Sequence, residues 1–321
     1  MSWYSHFQPT AKDLFFRSNK TGDPRLGEIS LLLSGEEPPQ SSTLIAGYPD
    51  DEGIVLNAGR PGAALAPDAI RSRLYKCSPG SFMHKALKLA DLGNLDTKLS
   101  LEERHSKAKQ TVQSALTKGH RWIGLGGGHD YGYPDGAGFL KANAKSSRKP
   151  LIINFDAHLD VRPLDKGLTS GTPFYRLLTE ANLPEFEFWE IGIQGQCNSQ
   201  EHWDWVKDKG GKVISFEEIM MSGQPQGEYI LGRLAEILVQ PRPTYISVDI
   251  DGFSSAYAMG CSQSWPTGFE PNGFLPAFNG LLSRLDVQVL GIYEVSPPLD
   301  LDERTVKLAS LLIQQFLGPI Q

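Results

Sequence analysis

Short apolar runs that end in Gly, Asp or Asn alternate along the chain with segments whose apolar residues recur at helical spacing. The apolar runs predict strands over 43–47, 122–125, 151–155, 188–193, 212–215, 244–248 and 287–293. The helical spacing predicts helices over 67–75, 101–118, 135–144, 173–181, 200–209, 229–238, 273–282 and 302–316. Strand and helix in repeated alternation are the pattern of an α/β fold with a largely parallel sheet. The run Leu151-Ile-Ile-Asn-Phe155 is apolar at successive positions, so both of its faces should be covered by helices. A three-layer domain over residues 41–321, preceded by an irregular lead-in over 1–40, follows as the expectation. No repeat, low-complexity tract or linker divides the chain.

The polar loops add a place for chemistry. Pro and Gly gather at 37–39, 59–62, 126–136, 167–173 and 260–273, several of them just after an expected strand. In open α/β sheets the ligand site lies beyond the carboxyl ends of the strands. Composition removes several classes of function. The 321 residues carry 31 Lys plus Arg against 37 Asp plus Glu, a formal charge of −6, with no basic stripe for a nucleic-acid backbone. No apolar run reaches the roughly 18 residues of a membrane span, and the polar, aromatic start lacks a signal peptide's pattern, so a soluble, cytoplasmic protein is expected. Cys77, Cys197 and Cys261 are odd in number and widely spaced, against a disulfide framework or a cysteine-based zinc site.

Three segments carry candidate chemistry. In Asp156-Ala-His158-Leu-Asp160, directly after an apolar strand, the period of two in an extended chain would send all three polar side chains to one side. Asp249-Ile-Asp251 ends another apolar strand; its carboxylates either cap the turn before Gly252 or share a cation that offsets their repulsion. Gly126-Gly-Gly-His129 lets the backbone turn tightly and sets an imidazole at a third strand end. It lacks the Gly-Lys-Ser/Thr continuation of a phosphate-binding loop. His129, Asp156, His158, Asp160, Asp249 and Asp251 form a donor set suited to two oxygen-loving divalent ions, Mn²⁺ before Zn²⁺. Two ions about 3.5 to 4 Å apart can activate a shared water, which predicts hydrolysis without a covalent enzyme intermediate.

In this order and spacing, the three segments resemble the signature motifs of the ureohydrolase superfamily of arginase, agmatinase and formimidoylglutamase. The resemblance runs from about Asn57 to the C-terminus and takes in Gly59-Arg-Pro-Gly-Ala63 and Ala66-Pro-Asp-Ala-Ile-Arg71. It implies an arginase-type sheet of about eight strands, a binuclear manganese site and a small amino-acid-derived substrate. It also implies a homo-oligomer, and Glu294 as the partner of the substrate's amidine or guanidine.

The departures from the family's wording point to a substrate. Ser170 stands before Gly171-Thr-Pro173, where arginases and agmatinases usually carry a proton-shuttling His. Thr169-Ser170-Gly171-Thr172-Pro173-Phe174 instead resembles formimidoylglutamases, with Asp160 left as the candidate proton carrier. Arg162 takes the place of an arginase Asn that binds the substrate's amino-acid end. It either offers a planar fork to a substrate carboxylate or pairs with a neighbour such as Asp165. Ser170, Thr172, Arg176 and Asn198 complete the candidate substrate contacts. Met259 stands where the family commonly has a Pro. His6, His84, His105, His120 and His202 read as structural or exposed. The expectation is hydrolysis of N-formimidoyl-L-glutamate to L-glutamate and formamide in histidine degradation. The rivals are a ureohydrolase acting on a guanidino compound and a silent metal-binding family member.

Overall fold

The computed structural model describes residues 2–79 and 87–318. His84 lies outside the described residues. Among the described residues, ten strands form one sheet: β1 (Phe7–Gln8), β2 (Ser30–Leu32), β3 (Thr43–Gly47), β4 (Leu89–Leu95), β5 (Arg121–Leu125), β6 (Leu151–Phe155), β7 (Glu187–Ile193), β8 (Lys212–Ser215), β9 (Pro243–Asp249) and β10 (Asp286–Tyr293). Their order is β1-β4-β3-β5-β10-β9-β6-β7-β8, with β2 also paired to β4. Every pairing is parallel except that of β1 with β4.

All seven expected strands form, and three more accompany them. β4 escapes the apolar pattern because Asp91 and Gly93 interrupt it. Asp91 is fully buried, and the Arg71 guanidinium donates from Nε to Oδ2 at 2.8 Å and from Nη2 to Oδ1 at 2.9 Å. The residues expected as an irregular lead-in are partly ordered into the sheet. Phe7 and Gln8 pair with Leu95 and Asn94, and Ser30 to Leu32 pair with Leu89 to Asp91, so the segment covers the free edge of β4.

Helices cover both faces. Ala66–Leu74, Pro271–Arg284 and Arg304–Leu317 bury residues in one apolar cluster, and Leu101–Thr117, Gly132–Ala142 and Pro173–Thr179 in the other. Ile153 and Phe155 of β6 enter the first cluster and Ile152 the second, as side chains alternating across a strand must. The helix Leu101–Thr117 shows the local logic. Glu103 N–H donates to Ser100 Oγ at 3.4 Å while the Glu103 carboxylate accepts from Ser100 N–H at 3.0 Å, a capping box whose loss costs about 1 kcal/mol. Leu101, Ala108, Val112 and Ala115 then fall on its buried face. No helix of the described residues is long and apolar enough to cross a membrane.

Candidate active site

The four neighbouring strands β5, β10, β9 and β6 bring the candidate residues to one edge of the sheet. Ile292 is level with Leu125, Tyr293 with Asp249, and Val248 with Phe155, so Glu294, Asp249 and Asp156 emerge at nearly one height. His129 arrives from the turn after β5. There Gly127 N–H bonds the Tyr48 carbonyl at 2.9 Å, and any side chain at Gly127 would run into the Asp50 carbonyl. Glu294 is held in the left-handed region at φ 64°, with its N–H on the Gly127 carbonyl at 2.9 Å. Its Oε1 accepts from His129 N–H at 3.0 Å, which ties the ends of β5 and β10 together.

Around His129 Nδ1 stand Asp160 Oδ2 at 2.9 Å and the Oδ2 atoms of Asp156 and Asp249, each at 3.1 Å. His158 Nδ1 lies 3.1 Å from Asp251 Oδ2 and 3.6 Å from Asp156 Oδ1. Two donor groups result, His129–Asp156–Asp160–Asp249 and Asp156–His158–Asp251, with Asp156 common to both. Their composition is the six residues expected from the sequence, but strand alternation does not produce it. The chain leaves the sheet after Phe155, and Asp160 turns back at φ 49°. Asp156 Oδ1 accepts from His158 N–H at 2.7 Å inside that turn. Asp249 fulfils both readings of its segment: Oδ1 accepts from Asp251 N–H at 2.9 Å and caps the turn, while Oδ2 faces His129.

The electrostatics of this cluster call for cations. Burial pushes the Asp249 carboxyl well above the ordinary range, and the neighbouring Asp251 and Asp156 push it further. Burial likewise raises Glu294 well above the ordinary range, and lifts Asp251 to about 6 despite the opposing pull of His158. Burial lowers the pKa of the His129 imidazole, yet the carboxylates of Asp156, Asp160 and Asp249 close around it raise it well above the ordinary histidine value. His129 Nε2 pairs with Ser247 Oγ at 2.9 Å, which leaves Nδ1, without a hydrogen-bond partner, to the carboxylate-lined centre. Crowded anions and a bare imidazole nitrogen in a dry site fit a pair of divalent ions, which would relieve the repulsion directly.

Above the cluster opens a cavity of about 300 Å³ whose lining includes His158, Asp160, Arg162, Ser170, Asn198 and Glu294. Arg162 is exposed, and no salt bridge to Asp165 forms among the described residues; its guanidinium has no hydrogen-bond partner there. Ser170 Oγ accepts from Asn57 Nδ2 at 3.2 Å. Asn198 borders the cavity but spends its amide on the ligand loop, accepting from Leu159 N–H at 2.8 Å and donating to the Ala157 and Gln194 carbonyls at 2.9 Å.

Two expected substrate contacts are corrected. Thr172 is buried and its hydroxyl donates to the Thr169 carbonyl at 2.7 Å, so it shapes the turn and lies off the cavity wall. Arg176 points behind the site. It bonds His105 Nδ1 at 2.8 Å, stacks 3.3 Å from the Tyr133 ring centre, and continues through His105 Nε2 to Asp130 at 2.7 Å. That chain braces the turn holding His129. Asn57, Gln263 and Trp265 line the cavity without having been singled out, and His202, expected to be structural or exposed, lines it too. Asn57, Gln263 and Trp265 lie outside the helices and strands, and His202 sits in the first turn of the helix Gln200–Asp208; none carries a spacing signal. The position of Asn57 at the head of a Gly-rich loop is the one available hint.

A sheet of this order with an acid-and-imidazole cluster at the ends of its central strands defines an arginase-type hydrolase scaffold. The chain belongs to the arginase family, whose family model matches residues 41–318. Within it, the chain is 31% identical over 281 residues to a formimidoylglutamase of Legionella pneumophila, covering 86% of this chain and 84% of that one. A formimidoylglutamase of Corynebacterium efficiens is also 31% identical, over 278 residues, with 86% and 84% covered. Among solved structures, Trypanosoma cruzi formiminoglutamase with Mn²⁺ superimposes with a TM-score of 0.79 at 28% identity, covering 92% of this chain and 98% of that one. Bacillus subtilis formimidoylglutamase gives 0.79 at 26% identity, covering 94% and 93%.

Proposed function

We propose that the chain hydrolyses N-formimidoyl-L-glutamate to L-glutamate and formamide. The observation that carries the reading is the split of charge across one cavity: Glu294 and the Asp cluster at its floor, an unpaired Arg162 on its wall. Such a site suits a small molecule with a cationic amidine at one end and carboxylate at the other. The relatives named formimidoylglutamase support the choice within the family. His129, Asp156, His158, Asp160, Asp249 and Asp251 would hold two Mn²⁺ ions. Bound there, the ions supply Lewis acidity that makes water nucleophilic near neutral pH.

The chain's own residues do the rest. Glu294 faces the amidine nitrogen, and Arg162 takes a substrate carboxylate, so the formimidoyl carbon is presented over the Asp cluster. The oxygen of water adds to that carbon, and Asp160 takes the proton released. The bond from carbon to the glutamate nitrogen then breaks, and Asp160 returns the proton to that nitrogen as formamide forms. Ser170 is too weak a base for this task at neutral pH. Asp160 has a side-chain exposure of 12%, against 0% for Asp156 and 3% for Asp249, so it is the most open of the three to the cavity. The same reading places the protein in histidine degradation and in the cytoplasm, where three unpaired cysteines stay reduced.

Protein charged with Mn²⁺ and offered formimidoylglutamate, arginine, agmatine and guanidinobutyrate should release formamide from the first with the highest specificity constant. A higher value for urea release from arginine would transfer the chain to another branch of the family. No turnover despite two bound ions would make it a silent member.

A further inference from the structure

A second cavity of about 170 Å³ adjoins the first, and Arg162, His202 and Asn57 line both. The side cavity adds Lys166 and Thr169, with Asp165 as its acidic residue. Two fixed positive charges thus face one negative charge, next to a main cavity floored by carboxylates. Neither the Arg162 guanidinium nor the His202 ring has a hydrogen-bond or ion-pair partner among the described residues. Only the His202 N–H is engaged, on Ser199 Oγ at 3.3 Å in the first turn of the helix Gln200–Asp208. That N-terminal end also favours an anion. Hydrogen-bonding side chains left uncommitted at the junction of two cavities are available to a ligand. Burial, and then the nearby Arg162, lower the pKa of His202, so at neutral pH its ring meets the ligand as an uncharged donor.

We propose that His202 is a specificity-determining residue: its ring N–H, beside Arg162 and Lys166, binds the side-chain carboxylate of a dicarboxylate substrate in the side cavity. The inference rests on the formimidoylglutamate reading and assigns its two carboxylates different places. The α-carboxylate is attached next to the scissile nitrogen and must remain in the main cavity. The side-chain carboxylate lies further along a flexible chain and can pass the junction. Arg162, on both walls, stands between them.

The test compares N-formimidoylglutamate with N-formimidoylglutamine, whose side-chain carboxylate is a neutral amide. In the Mn²⁺-loaded protein, His202→Ala should reduce the preference for the dicarboxylate in kcat/KM about tenfold, through KM, with kcat little changed for either compound. His202→Asn, which restores a donor of similar reach, should recover much of the preference. Glutamate binding by calorimetry to the same proteins should weaken in parallel, and thermal melting should stay unchanged because the ring makes no internal bond. An unaltered preference in His202→Ala, or an equal loss for both compounds, would overturn the role of His202 while leaving the proposed reaction standing. If the unsubstituted protein neither turns over nor binds the dicarboxylate, the reaction itself fails, and the inference with it.

Discussion

Asp156 and Arg162 belong to one short segment after β6, and their surroundings are opposite. Asp156 is fully buried with both oxygens engaged, Oδ1 by His158 N–H at 2.7 Å and Oδ2 by Asn154 Nδ2 at 3.1 Å. Arg162 is exposed, anchored by its backbone N–H on the Gly171 carbonyl at 2.8 Å, with its guanidinium uncommitted. The first belongs to a packed acidic floor; the second carries a charge with no hydrogen-bond or ion-pair partner among the described residues. A site divided this way holds reacting groups on strand ends and leaves selection to loops, where side chains can differ without disturbing the sheet.

The comparison breaks most severely at the residue common to both donor groups. Asp156→Asn should remove most of the Mn²⁺ taken up, read by elemental analysis, and lower activity by about a thousandfold or more, since Asp156 belongs to both donor groups. Retention of both ions would show that the two groups do not share it. Replacing Arg162 with Ala should leave metal content intact and raise KM for the dicarboxylate about 10- to 100-fold, the value of one charge-assisted bond of about 1.5–3 kcal/mol. Loss of metal there would make Arg162 part of the floor. Asn198→Ala probes the boundary between the two regions, because the amide borders the cavity yet clamps the ligand loop. Metal affinity should fall about tenfold, by titration against a chelator, with KM less affected.

The smallest effect concerns the layer beneath the floor. Asp135, fully buried, accepts from Tyr293 Oη at 2.6 Å and from Tyr48 Oη. Burial lifts its carboxyl to about 7, although the bonds from Tyr293 and Tyr48 pull the other way. The folded protein therefore holds this proton more tightly than the unfolded chain. The associated stability is fully present below about pH 4, where an unfolded Asp is protonated too, and is lost as pH rises through about 7. Asp135→Asn should flatten the decline of the melting temperature over that window. An unchanged slope would mean the carboxyl ionises without cost.

How much of this was legible follows from the kind of signal each part carries. Strands buried on both faces announce themselves as apolar runs, which is why β6 and β9 could be read directly. β4 could not, because its buried Asp91 looks like a surface residue until Arg71, from a helix earlier in the chain, is brought against it. The ligand residues were legible as types and intervals. The path to their convergence was not, because left-handed turns at Asp160 and Glu294 replace simple alternation. Arg176 and His202 show the same limit from opposite sides. A helical Arg expected at the substrate braces the turn behind His129, and a histidine without companion spacing lines the cavity.

The sequence by itself determined the class of fold, the six acid and imidazole donors, and the electrostatic case for cations, because these depend on local periodicity and residue chemistry. The tertiary structure alone decided which strands stand side by side, which oxygens point at His129 and which at their own backbone, and which loops close the cavity. Those outcomes depend on register between distant strands and on backbone angles at a few turns, and no local pattern encodes either. The charge of −6 illustrates the difference. As a sum it only argued against a nucleic-acid partner, whereas the placement of Asp160, Asp249 and Asp251 in one cavity with an unpaired Arg162 gives that cavity an acidic side and a basic side.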